Sequence, residues 1–118
     1  MDELENLVDE WLTVPDVADR LEVDLSKVRG MLHDGQLVAV RRGERHVLSV
    51  PARLLGPEGL LPELPGTLAV LSDAGYTLPE SLVWLFTPDP SIEGGSPIGA
   101  LHAGHKTEVR RRAQALAV

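Results

Sequence analysis

The spacing of apolar residues changes once, sharply, between Thr13 and Arg53, and that change admits few folds. Val14, Val17, Ala18 and Leu21 recur at i, i+3, i+4 and i+7, the stripe of a short helix. Leu25, Val28, Met31 and Leu32 repeat the pattern after a four-residue step, Glu22-Val23-Asp24-Leu25, in which Val23 is expected to plug between the helices. Past Gly35 the period drops to about two. Leu37, Ala39 and Arg41 then alternate with Val38, Val40 and Arg42, and His46, Leu48 and Val50 alternate with Val47 and Ser49 around a Gly43-Glu44 turn. Two short helices followed by a hairpin make a winged helix-turn-helix.

Local chemistry supports these boundaries. Thr13, with Asp16 three residues on, has the form of a capping box, and Pro15 fits the first turn, where no intrahelical partner awaits an N–H. Asp24 stands where an N-cap of the second helix belongs, and Asp34-Gly35 ends that helix with glycine past the C-terminus. Pro51 stops the returning strand.

The residues left outside point to duplex DNA. Ser26, Lys27, Arg29, Gly30 and His33 fall off the apolar stripe of the second helix. A helix fits the major groove; Arg and Lys donate to guanine O6 and N7, and Ser serves either partner. Ser26, Lys27, Arg29 and His33 are therefore the expected contacts on this helix. Arg41, Arg42 and Arg45 gather at the hairpin tip, where arginine typically meets phosphate or a narrow minor groove. Arg20 and Arg53 are expected to add phosphate contacts. The competing explanation for the hairpin is a solvated edge kept soluble by charge. Gly30 costs helix stability relative to alanine, and the gap it leaves would let the phosphate backbone or the wing approach closely.

Here the residues resemble a known group. Leu12–Leu55 is similar to the winged helix-turn-helix of the excisionase and MerR-like proteins. The likeness is carried by Thr13-Val14-Pro15-Asp16-Val17-Ala18, Leu21, Val23, Val28-Arg29, Asp34-Gly35-Gln36-Leu37, Ala39-Val40 and Arg42-Gly43. Over its whole length the chain resembles a small actinobacterial family of winged-helix DNA-binding proteins, in which this module precedes a short helical C-terminal domain. That resemblance implies DNA binding through the second helix and the wing. The C-terminal half, in particular Trp84-Leu85-Phe86 and Gly95-Ser96-Pro97, is also similar to the helical domain ending some bacterial antitoxins, which implies dimerisation or a protein partner.

Charge runs against the expectation and has to be resolved by position. The net charge of −7 has the wrong sign for a nucleic-acid binder. From Arg20 to Arg53, however, seven cations face four anions, whereas the other residues carry four cations and fourteen anions. The chain is polarised, with its positive part on the proposed reader. Modest affinity with few phosphate contacts is expected.

Leu4, Leu7, Val8 and Trp11 have helical spacing within an acidic segment, predicting a helix over residues 1–12 that packs on the winged module; the alternative is an acidic arm competing with DNA. No Ser or Thr precedes Thr13, so no phosphorylation switch resides there. The Pro- and Gly-rich run from Leu54 to Pro65 is a connector. Helices are expected over Gly66–Ala74, from Thr77 onward behind a second capping box, over Ile98–Ala103 behind Ser96-Pro97, and over Thr107–Ala117. Arg110, Arg111 and Arg112 complement a helix terminus and keep the chain soluble, or form salt bridges to the acidic first helix or a further phosphate contact.

The expected architecture is mainly α with a small β-hairpin wing: a winged helix-turn-helix over 1–56 and a helical domain over 57–118 for self-association or a protein partner. With no cysteine, no phosphate loop, no catalytic constellation and only His102 and His105 close in sequence, no enzyme, metal or cofactor is expected. No segment reads as a secretion signal or membrane span, so the expected location is cytoplasmic, at the nucleoid. The expected function is recognition of double-stranded DNA as a transcriptional regulator. The rivals are an antitoxin-like or adaptor module and an excisionase-like architectural DNA-binding protein.

Overall fold

The computed structural model describes residues 2–117. The chain divides after Leu60 into two compact units.

In the first unit the acidic N-terminal segment is helical only over α1, Asp2–Leu7. Trp11–Thr13 leaves the helix and forms strand β1, which pairs antiparallel with β3, Val47–Pro51, placing Trp11 opposite Pro51 and Thr13 opposite Ser49. The expected helix to Leu12 is therefore corrected: an aromatic and a Thr suit a half-buried strand, and pairing with β3 overrides the helical spacing. The expected two-stranded hairpin is in turn a three-stranded sheet, with β2, Val40–Arg42, on the other side of β3. Leu37 and Val38 are both buried, so the chain there does not alternate as a pleated strand would. The turn runs over four residues, Gly43 to His46, both of which have positive φ, and the His46 N–H donates to the Gly43 carbonyl at 3.1 Å.

Thr13 has a second role as N-cap of α2, Val14–Leu21. The Asp16 N–H donates to Thr13 Oγ1 at 3.2 Å and the Thr13 N–H to Asp16 Oδ2 at 3.1 Å, so the capping box closes in both directions. Those bonds hold the Asp16 carboxyl below its usual pKa. Val14, Val17 and Ala18 are buried as the stripe requires. α3, Leu25–His33, follows the short turn. Its exit is a Schellman motif: the Gln36 N–H donates to the Met31 carbonyl at 2.9 Å and the Gly35 N–H to that of Leu32 at 3.3 Å, with Gly35 at φ +76°. Asp24 occupies the N-cap position without a side-chain cap bond. Leu55–Gly56 and Gly59–Leu60 pair as a small ribbon, β4 and β5, in place of the irregular connector.

The second unit is helical: α4 Leu64–Asp73, α5 Leu78–Phe86, α6 Pro97–His102 and α7 Lys106–Ala115. α4 packs on α5 and α7, and α6 on the same two helices. Leu64, Leu71, Leu82, Leu85, Ile98 and Val109 are fully buried. α4 begins two residues before the expected Gly66, because Pro65 in a first turn interrupts no bond. Thr77 and Glu80 close the second capping box at 3.2 and 2.8 Å. Gly99 in α6 touches the loop before it: a Cβ there would lie 2.2 Å from the Gly94 carbonyl oxygen. The three arginines of α7 are paired within this unit, Arg110 with Glu63 at 3.2 Å, Arg111 with Glu108, and Arg112 with Glu108 at 2.6 Å and Asp89 at 3.2 Å. Their acidic partners are Glu63, Asp89 and Glu108, not the residues of the first helix that the sequence suggested.

Candidate nucleic-acid interface

α3 has one buried residue, Val28, and that fixes which way the helix faces. At about 100° per residue, Ser26, Gly30 and His33 lie on the side opposite Val28, flanked by Arg29 and Lys27. Ser26, Lys27, Arg29 and His33 are all exposed, as the pattern required. Leu25, assigned to the inner stripe, is instead 41% exposed. It lies in the open first turn, about 60° round from Val28, where less of the core covers it. Met31 and Leu32 are half-buried and complete the inner face.

The five wing and flanking arginines do not form one uniform set. Arg41 and Arg45 are exposed, Arg41 with its Nη1 donating to the His46 carbonyl at 3.1 Å across the turn. That bond orients Arg41 along the tip while leaving other donors of the guanidinium for a ligand. Arg42 is different. Its Nε and Nη2 donate to the two carboxylate oxygens of Glu5 at 2.8 and 2.5 Å, and its guanidinium carbon lies 4.5 Å from the centre of the Trp11 ring. A bidentate carboxylate on one edge and an indole face beneath it hold this cation against the protein. The pairing holds the Glu5 carboxyl below its usual pKa and raises that of Arg42. Arg42, grouped by sequence with the phosphate contacts, here fastens α1 to the base of the wing. Arg20 meets Glu10 at 3.1 Å, with both side chains more than half exposed, a contact worth little in water. Arg53 is exposed on the short 3-10 turn Ala52–Leu54 after β3.

Sequence reasoning missed Glu5 and Trp11. Glu5 is 37 residues from Arg42, and no local pattern links them. The available signal was Trp11-Leu12-Thr13: an aromatic two residues before a capping Thr also fits a short strand. His102 and His105 form no metal cluster, and no group of metal-binding side chains occurs among the described residues. His105 meets Glu93 at 3.1 Å instead. No helix among the described residues is long and apolar enough to cross a membrane.

A short capped helix, a tight turn, an outward-facing second helix and an arginine-tipped sheet define a winged helix-turn-helix protein. Comparison with known proteins agrees and is more specific. Residues 2–55 match the family model described as "DNA-binding protein Rv2175c, wHTH domain", and residues 61–117 match that of the "Rv2175c C-terminal domain of unknown function". The chain belongs to the Rv2175c family. It is 42% identical over 116 aligned positions to "DNA-binding protein Rv2175c" of Mycobacterium tuberculosis (strain ATCC 25618 / H37Rv), covering 88% of this chain and 78% of the relative. The solved structure described as "NMR structure of Rv2175c" superposes with a TM-score of 0.82 at 38% identity, covering 93% of this chain and 82% of that one. The resemblance to a small actinobacterial winged-helix family holds.

Proposed function

We propose that the first unit binds double-stranded DNA by recognition alone, without catalysis, and that the protein serves transcriptional control at the nucleoid. The observation that carries this reading is the outer face of α3, where Ser26 and His33 are exposed opposite the buried Val28 and Lys27 and Arg29 are exposed on its flanks. In the major groove that face directs Ser26, Lys27 and Arg29 to base edges. Arg41 and Arg45 of the wing take backbone phosphates or the minor groove, and Arg20 and Arg53 add phosphates at the flanks. The second unit, with its cations internally paired, serves self-association or a protein partner rather than DNA.

Titration of the full chain against duplex DNA at several salt concentrations tests this. Binding that weakens linearly in log–log form with added salt is expected. Arg29→Ala is expected to cost about 1–3 kcal/mol on a preferred site and to relax specificity there. Binding insensitive to both salt and Arg29 contradicts the reading.

A further inference from the structure

Gly30 sits at the middle of the outward face of α3, four residues after Ser26 and three before His33. Nothing in the fold asks for glycine here. A Cβ added at Gly30 meets no atom within 4 Å, and the residue has ordinary helical backbone. It also lies inside a helix, where glycine is the least favourable residue after proline. Gly35, Gly43, Gly75, Gly95 and Gly104 also have open space around them, and each has a positive φ that explains it. Gly30 has neither crowding nor a special backbone angle as a reason. What it does have is position: half-buried, it lies at the centre of a face bordered by the exposed Lys27 and Arg29.

From this we infer that Gly30 is a close-approach point, a notch that lets the α3 axis sink further toward the floor of the major groove. The inference rests on the DNA-binding reading above and deepens it. A helix enters that groove with limited clearance, since the groove is about 12 Å wide and a helix with side chains about 10–12 Å across. The residue pointing straight down therefore sets how near its neighbours come to base edges. With no side chain there, short Ser26 reaches the floor as well as the longer Lys27 and Arg29. A Cβ or larger group at 30 would hold all three away from the bases. Phosphate contacts from the wing, which lie at the groove's margins, would persist.

The test uses the full chain with Gly30→Ala and the larger Gly30→Leu, measured on a duplex that the wild-type protein selects from a random-sequence pool. Thermal unfolding of free Gly30→Ala is expected to rise by roughly 4 °C, because alanine replaces glycine in open helix space. Affinity for the selected duplex is expected to fall about tenfold with Ala and further with Leu. Binding to unselected duplex and the salt slope should stay at wild-type values. Unchanged affinity in both variants overturns the inference while leaving the DNA reading intact. So does a lowered melting temperature with lost binding, which would make Gly30 a structural glycine. A wild-type chain that retains no duplex overturns the reading beneath it as well.

Discussion

Substituting the wing arginines one at a time should divide them into two kinds. Each cation that neutralises a phosphate releases condensed counterions and adds about 0.9 to the slope of log affinity against log salt. Raising salt fourfold, from about 50 to about 200 mM, then weakens binding about 3.5-fold per contact on that slope. Arg41→Ala and Arg45→Ala should each flatten the slope by about 0.9, and together by about 1.8. Arg42→Ala should leave it nearly unchanged, because Glu5 already balances that guanidinium through two hydrogen bonds and Trp11 lies under it. Glu5→Gln removes the anion and should steepen the wild-type slope by up to about 0.9 as Arg42 becomes available. Filter binding of a labelled duplex across a potassium chloride series reads all five variants, the double one included, in one format. An Arg42→Ala slope as flat as that of Arg41→Ala would refute the assignment of Arg42 to the protein's own acidic segment.

The other predictions concern stability. Thr13→Ala should cost about 1 kcal/mol by removing the cap of α2, and Thr77→Ala a similar amount at α5, both read from urea midpoints at unchanged m-value. Gly99→Ala should destabilise the protein by about 1–3 kcal/mol, since the new methyl meets the Gly94 carbonyl, which is backbone and has no rotamer to yield; calorimetry would report it. Glu5, Asp16, Glu80, Asp89 and Glu108 all have folded pKa values below the ordinary 4.5 of Glu or 3.8 of Asp. Their contribution is therefore fully present at neutral pH and is lost as pH falls from those ordinary values through the lowered ones. Urea unfolding should show stability declining over that acid window, and stability independent of pH there would contradict the pairings.

The helix-turn-helix was legible because its signals are local. A capping Thr with an acid three residues on, proline in the first turn, an apolar stripe and a terminal glycine all act within one or two turns of the chain. They located α2 and α3, and the same logic located α5. What escaped depended on distant partners. β1 is three residues long, too short to display a period, and exists because β3 offers an edge to Trp11–Thr13. Leu25 matched the stripe by spacing, but burial depends on what covers the first turn, which spacing does not encode. The outward residues of α3 were legible for the opposite reason: one buried position, Val28, orients the whole helix. The pairing of Arg42 with Glu5 escaped because two neighbouring arginines look alike in sequence, while their partners lie 5 residues away for Arg41 and 37 for Arg42.

The guanidinium of Arg42 stacked on Trp11 also turns the reader half into its own optical probe. The chain has two tryptophans, Trp11 in the first unit and Trp84 in the second. Replacing Trp84 with phenylalanine would leave a single indole, sensitive to the cation resting on it. Any event that draws Arg42 off Glu5, such as acidification or capture by a phosphate, would then register as a change in intrinsic emission, with no dye attached.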